Sequence, residues 1–125
     1  MANWELLGLR FITEREDELS EGLSAERLEA FRNNEWEPYT IWLEADLAFR
    51  LIANTPTQTL QSTKLFEVAS DISRSVLRSC IWMCMSQLCA MLNSLGISDT
   101  VIEVQKASFW TSLCDQDFSR YDGRY

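Results

Sequence analysis

The chain has 125 residues, 46% of them apolar and 24% charged, and its 19 acidic against 11 basic residues leave a formal net charge of −8. This length is typical of one domain, and the apolar fraction suffices for a packed core. Because the chain has no histidine, Ser-His-Asp and Cys-His catalysis and histidine-ligated metal sites are excluded. The negative charge argues against direct binding to nucleic acid or to anionic membranes, since both bind basic residues.

Neither a targeting signal nor a membrane span is expected. The apolar stretch 1–12 contains Glu5 and no basic segment precedes it, which fits neither a signal peptide nor a transit peptide. The longest apolar stretch, Cys80–Leu92, is interrupted by Ser86 and Gln87 and is shorter than the roughly 20 residues of a membrane span. The sequence therefore predicts a soluble, cytoplasmic protein.

The first two predicted helices cover residues 4–34. The first is preferred as one helix that begins at Trp4, bends or frays near Thr13 and ends at Gly22; a helix that begins at Glu14 is the alternative. It is indicated by apolar residues at helical spacing: Trp4, Leu7, Phe11, Leu19 and Leu23. Ser24 is a favourable N-cap for a short second helix. That helix ends at Asn33 and Asn34, because asparagine tolerates the left-handed backbone of turns.

Three longer helices are predicted in the rest of the chain. Tyr39–Asn54 has eleven apolar residues of sixteen, a composition typical of a central helix. Gln58–Leu95 is the longest, and it ends at Gly96, because glycine favours the left-handed backbone of helix ends. A helix interrupted near Gln61–Thr63 is the alternative. The last begins at Ser98 or Asp99 and carries an apolar stripe that includes Ala107, Trp110, Cys114, Phe118 and Tyr121.

No convincing alternation of apolar and polar residues is visible in the chain. We therefore predict an all-α fold, a single-domain bundle of four or five helices built around a long central helix. The domain spans 1–125, with a loose tail at about 122–125. Three of the five tryptophans lie on stripes assigned to the core: Trp42, Trp82 and Trp110.

The four cysteines leave three interpretations open. Cys80, Cys84 and Cys89 fall in one apolar helix, where Cys80 and Cys84 are poorly placed for a disulfide. Reduced thiols packed as small hydrophobic residues are the preferred interpretation. The alternatives are a redox or modification role and metal binding, although the spacing lacks the paired Cys-x-x-Cys turns of zinc sites. No cofactor is predicted.

Charge placement suggests a partner-binding surface. Residues 1–46 contain twelve acids and four bases, whereas residues 47–125 contain seven of each. An acidic surface attracts a basic partner, and tryptophan is enriched in interfaces. The alternatives are a solvated helix face, a cation site, and a Trp36 that folds back over the core. The candidate partner-binding residues are Glu14, Glu16, Asp17, Glu18, Glu21, Glu35, Trp36 and Glu37.

A homodimer is also predicted, because one helix of a small bundle rarely buries its whole circumference internally. Cys80–Leu92 is apolar on nearly every side, and a two-fold dimer would cover the side that faces away from the bundle. Its contact is expected near Trp82, Met85 and Cys89. The competing interpretation is a central helix surrounded by its own neighbours.

Three classes of function remain open, and the preferred one is non-catalytic. It is a protein-binding module, acting as a regulator, inhibitor, adaptor or chaperone through its acidic N-terminal surface on a basic protein partner. The first alternative is a sensor that binds a small molecule or a metal, either in an interior lined by Cys, Met and Trp or on the acidic face. The second is a histidine-free enzyme that uses carboxylates or a thiol. Glu44 and Asp46 are the carboxylates of interest, because they lie in the most apolar segment.

Overall fold

A computed structural model describes residues 3–16, 19, 22–52 and 57–114, without the side chain of Cys114. It contains a four-stranded sheet, so the prediction of an all-α helical bundle is wrong and the described chain is mixed α/β. The elements in chain order are β1 (Trp4–Arg15), α1 (Ala25–Arg32), β2 (Pro38–Phe49), β3 (Gln58–Gln61), β4 (Leu65–Ala69), α2 (Arg74–Ser94) and α3 (Asp99–Cys114).

The long strand β2 is the centre of an antiparallel sheet. On one side it pairs with β1 over nearly its whole length, from Trp4 opposite Phe49 to Arg15 opposite Tyr39. On the other side it pairs with β3 through residues 44–47 and with β4 through residues 38–41. β3 and β4 thus form one interrupted third strand.

Ser62 maintains the ladder where this third strand is interrupted. Its backbone N–H donates to the Leu43 carbonyl over 2.9 Å, and its hydroxyl accepts from the Leu43 N–H over 2.9 Å. Ser62 is buried, so both bonds satisfy polar groups that would otherwise be orphaned.

The core lies between one face of the sheet and the two long helices. Odd-numbered residues of β2 point into it, because side chains alternate across a strand. α2 packs on β2 and α3 packs on β1. The core side chains of β2 and α2 are Tyr39, Ile41, Leu43, Ala45, Leu47, Leu77, Ile81, Cys84, Met85, Leu88 and Leu92.

The short helix α1 lies at the end of the sheet where β2 begins and buries none of its own residues. The Trp36 indole N–H donates to the Arg27 carbonyl over 3.0 Å, and the Trp36 ring contacts Phe31. The Arg27 guanidinium holds Asp71 through two hydrogen bonds of 2.7 and 2.8 Å. α1 is therefore attached through its side chains to the turn that precedes α2.

The helix predicted from Trp4 is in fact the strand β1. A β-bulge in this strand hid the alternation of apolar and polar residues that indicates a strand. The register of β1 against β2 shifts between Leu6 and Gly8. Such a bulge inserts one residue and reverses which face the following side chains occupy. The apolar residues before and after it therefore do not follow a single period of two.

The helix predicted over Tyr39–Asn54 is the strand β2, over Pro38–Phe49. Residues 38–45 are all buried, on both faces of the sheet. A strand covered on both faces is continuously apolar and cannot be distinguished from a buried helix by periodicity. Aromatic and β-branched side chains favour strands, and this segment contains four in succession: Tyr39, Thr40, Ile41 and Trp42. They were the signal in the sequence for a strand.

The long predicted helix Gln58–Leu95 is three elements: β3, β4 and α2. Its apolar stripe begins before α2, because Leu65 and Ala69 belong to β4. Other predictions are confirmed. Ser24 caps α1 by accepting from the Arg27 N–H, and Gly96 has a left-handed φ of 87°. The predicted tail at 122–125, and Phe118 and Tyr121, lie outside the described residues.

Candidate protein-binding surface

The strand β1 is an edge of the sheet, and within the described residues it pairs only with β2. The Glu16 N–H donates to the Pro38 carbonyl over 3.0 Å, so these two residues are a hydrogen-bonded pair. Such pairs alternate along an antiparallel ladder, so every second residue of β1 directs its N–H and C=O groups away from β2. The outward-directed residues are Leu9, Phe11, Thr13 and Arg15.

The bulge at the other end of β1 sets the limits of this edge. The Arg50 N–H donates to the Asn3 carbonyl over 2.8 Å, so the alternation before the bulge is opposite to that after it. Bulges discourage pairing of an edge with another strand. The regular part of the edge is therefore Leu9–Arg15.

A groove of about 570 Å³ separates this edge from α3. Its β1 side is formed by Leu7–Ile12, and the core residues Phe109 and Leu113 also line it. The remaining α3 side chains along it are uncharged: Gln105, Ser108 and Ser112. The groove thus offers backbone hydrogen-bonding groups on one side and small or polar side chains on the other.

The sheet face away from the helices carries a network of charged and polar groups centred on Glu44. Arg10 donates to both oxygens of Asp46 over 2.9 Å and to Glu44 Oε1 over 2.8 Å. Glu44 Oε2 accepts from the Trp42 indole over 3.0 Å and from Gln61 over 2.8 Å. Lys64 Nζ lies 4.4 Å from the centre of the Trp42 ring.

This network joins β1 to β2. Hydrogen bonds to Asp46 raise the pKa of Arg10, and the nearby negative charges of Asp46 and Glu44 act in the same direction. Both oxygens of Glu44 already accept hydrogen bonds, and Glu44 is only 8% exposed. Glu44 and Asp46, the carboxylates considered for acid–base chemistry, therefore both bind the single guanidinium of Arg10 and join β2 to β1.

The candidate acids of the N-terminal third occupy different environments in the structure. Glu14 is exposed on β1. Glu16 accepts from the Thr40 hydroxyl over 2.7 Å and from the Glu67 N–H over 3.1 Å, and Glu37 pairs with Arg15 over 3.3 Å. Three further candidates, Asp17, Glu18 and Glu21, lie outside the described residues.

The end of β1 thus brings some candidates together and separates others. Glu14, Glu16 and Glu37 lie where β1 ends beside the start of β2. Glu35 is exposed in the turn after α1. Trp36 is only 5% exposed, so its ring packs inside the domain.

The residues predicted at a dimer contact occupy different environments. Met85 is 1% exposed and belongs to the core, whereas Trp82 is 54% exposed and Cys89 is half-buried. The assignment of Trp82 to the core is therefore wrong. Trp42 is buried on the sheet face away from the helices, and Trp110 is half-buried on α3.

Two cysteine thiols of α2, those of Cys84 and Cys89, are poorly suited to nucleophilic chemistry. Burial raises the pKa of Cys84 and of Cys89, which favours the protonated thiol over the reactive thiolate. The Cys84 thiol lies 3.6 Å from the Thr63 carbonyl oxygen. Within the described part of the chain, no three His, Cys, Asp or Glu side chains are grouped to hold a metal ion.

Among the residues that the structure describes, one helix, α2, is long and apolar enough to cross a membrane by length and composition, and 33% of its apolar 18-residue window is buried in the domain. Comparisons of the chain with protein-family models, with curated proteins and with solved structures find no match.

Sequence reasoning missed the edge strand and its attachment through Arg10. The signal was present after Gly8, where Leu9, Phe11 and Thr13 alternate with Arg10 and Glu14. The extra residue of the bulge hid it, because a count that starts at Trp4 falls out of phase at Leu7.

Proposed function

We propose that this protein is a non-catalytic protein-binding module that adds an extended segment of a basic partner to the edge of β1. The observation that supports this most strongly is the combination of an edge strand with the adjoining groove against α3. Strand addition supplies affinity through main-chain hydrogen bonds and specificity through alternate side chains.

The two sides of the added segment would meet different chemistry. One set of alternate side chains would lie on the sheet face of Glu14, beside the acidic end of β1. The other set would face Gln105, Ser108 and Ser112 across the groove. The preferred segment therefore alternates basic residues with small or polar ones, because like charges beside Glu14 are disfavoured.

The test begins with random twelve-residue peptides displayed on phage and selected on the full chain. The selected sequences should place Lys or Arg at every second position. Hydrogen exchange of the chain with a selected peptide should then show new protection at Leu9, Phe11, Thr13 and Arg15, whose amides point outward. The amides of Arg10, Ile12 and Glu14 should change little, because they already bond to β2.

Replacing Thr13 with proline distinguishes binding at the edge of β1 from binding elsewhere on the chain. Thr13→Pro removes an N–H that points away from β2 and removes no hydrogen bond of the β1–β2 ladder. An edge strand tolerates proline at such a position. We expect at least a tenfold loss of affinity. The matched control is Thr13→Val, which keeps the N–H and removes a buried hydroxyl that has no hydrogen-bond partner. Equal affinity of Thr13→Pro and Thr13→Val would rule out the edge as the site.

A further inference from the structure

The groove between β1 and α3 lies beside the point where the chain leaves α3. Ser112 and Leu113, in the last turn of α3, line this groove. Residues 115–125 follow in the sequence and lie outside the described part of the chain. Because an extended residue spans roughly 3.4 Å, this stretch is long enough to reach the edge of β1 and to run along Leu9–Arg15.

The segment 119–125 alternates between two kinds of residue. Its charged set is Arg120, Asp122 and Arg124. Its uncharged set is Ser119, Tyr121, Gly123 and Tyr125. Such alternation is typical of a strand whose two faces meet different surroundings, and tyrosine favours strands. The segment therefore has the sequence pattern of a strand that can be added to an edge.

The sheet face away from the helices carries negative charge at two places along the edge of β1. At one place Arg10 binds the carboxylates of Glu44 and Asp46 over 2.8 and 2.9 Å. One guanidinium against two carboxylates leaves this acidic cluster negative. At the other place Glu14 is exposed, and Ile12 lies between the two. Along this edge the charges therefore run negative, neutral, negative.

The charged set of the segment complements this order. When Asp122 lies opposite Ile12, the two arginines of the segment fall at the two negative places. One of them lies opposite Glu14, and the other lies beside the acidic cluster. Opposite charges in cross-strand pairs stabilise a sheet. Because the pattern Arg-x-Asp-x-Arg is symmetric about Asp122, the match holds for either strand direction.

The uncharged set suits the groove on the other face. A tyrosine combines an apolar ring with a hydroxyl that needs a hydrogen-bond partner. The groove offers both surfaces, because the core residues Phe109 and Leu113 line it together with polar side chains of α3: Gln105, Ser108 and Ser112. The glycine between the two tyrosines adds no side chain on this face, so the added backbone can lie close to α3.

We propose that segment 119–125 of the chain pairs with the edge of its own β1 and thereby competes with other strands for this edge. The inference rests on the proposed function, since the segment occupies the edge that a partner strand would use. Residues 115–118 join the segment to α3, and so short a connection gives an effective concentration in the millimolar range. A partner must displace the segment, which raises the partner concentration that binding requires.

Hydrogen exchange of the full chain, without any added peptide, tests the pairing. The double variant Arg120→Glu, Arg124→Glu places like charges at both negative positions. We expect it to exchange the outward amides of β1 at least tenfold faster than wild type. The matched control is Arg120→Lys, Arg124→Lys, which keeps both charges and should exchange within about twofold of wild type. The amides to follow are those of Leu9, Phe11, Thr13 and Arg15.

Two outcomes of this experiment overturn the proposal. The first is unchanged exchange of these amides in the variant with reversed charges, once circular dichroism has shown that the variant folds. The second is protection that depends on chain concentration over about a hundredfold range. Pairing within one chain is independent of concentration, so such a dependence would show that the segment of another copy binds.

A variant of unchanged charge links the segment to partner binding. Tyr121→Gly, Tyr125→Gly removes the two rings from the groove and should also speed the exchange of the outward amides. Occupation of a site lowers its apparent affinity by the fraction of chains in which the site is open. The variant should therefore bind a peptide selected on β1 more tightly, by the same factor as its amides exchange faster.

The two proposals can fail separately. Faster exchange in this tyrosine variant with unchanged peptide affinity would show that the segment covers the edge and that the peptide binds elsewhere, which contradicts the proposed function alone. Unchanged exchange in both variants, together with a peptide that protects the outward amides of β1, would overturn the role of segment 119–125 and leave the proposed function in place.

Discussion

Glu44 illustrates how one buried carboxylate organises a sheet face. Its side chain is 11% exposed, and it receives hydrogen bonds from β1 through Arg10, from β2 through Trp42 and from β3 through Gln61. A buried charge is tolerated when it is paired and its lone pairs are occupied. Removing it leaves Trp42 and Gln61 without this acceptor and leaves Arg10 with Asp46 alone.

Replacing Glu44 with an apolar residue is therefore expected to destabilise the fold. Glu44→Leu should lower the free energy of unfolding by about 1–3 kcal/mol, the range for losing a partner of buried polar groups. Urea unfolding followed by far-ultraviolet circular dichroism measures it. Glu14→Leu is the matched control, since Glu14 is exposed on the same sheet face, and its effect should stay within about 0.5 kcal/mol. Equal effects of the two changes would contradict the structural role of Glu44.

At the scale of elements, α1 is the least integrated helix. It contributes no residue to the core, and the pairing of Arg27 with Asp71 attaches it to the turn before α2. Hydrogen bonds from Arg27 lower the pKa of Asp71. The side chains of the pair are 38% and 44% exposed, so solvent screens the interaction.

This pair makes a small, pH-dependent contribution to stability. A carboxyl with a lowered folded-state pKa stabilises the fold above its unfolded pKa, and the contribution is lost as pH falls through the folded value. Asp71→Asn should therefore cost up to about 1 kcal/mol at neutral pH, as for exposed ion pairs. The difference from wild type should vanish in acid. Urea unfolding at a series of pH values measures it, and a difference that persists in acid would exclude this linkage.

At the scale of the whole molecule, one apolar cluster joins the sheet to both long helices. It includes Leu6 of β1, Leu43 of β2, Val68 of β4, Leu88 of α2 and Phe109 of α3. Elements that share a core cannot unfold separately without exposing one another's apolar surface. The single domain predicted from chain length therefore implies one cooperative transition.

A core truncation tests this cooperativity. Leu88 is fully buried, and Leu88→Ala should lower the free energy of unfolding by about 2–5 kcal/mol, through lost burial and the cavity that remains. Tryptophan fluorescence and far-ultraviolet circular dichroism should give coincident urea transitions for wild type and variant. Separate transitions would show that the helices and the sheet unfold independently.

Local signals in the sequence determined only part of this fold. The cap at Ser24, the left-handed Gly96 and the apolar stripe of Leu77, Ile81 and Cys84 were readable, because capping and helical periodicity depend on residues a few positions apart. Among the candidate site residues, Glu14 is exposed, and its role in partner binding stays a prediction. The exclusion of histidine chemistry also required only composition.

Tertiary structure decided the rest. β2 became a strand because β1, β3 and β4 supply its backbone partners, and the helices cover one of its faces. The continuous apolar run of β2 predicts that the segment is buried, but it does not predict which groups form hydrogen bonds with its backbone. The sequence by itself determined which residues must leave water and where most of the charge lies. Only pairing between distant segments decided that β1 forms an edge, that Arg10 meets Glu44, and that Trp36 is buried while Trp82 is exposed.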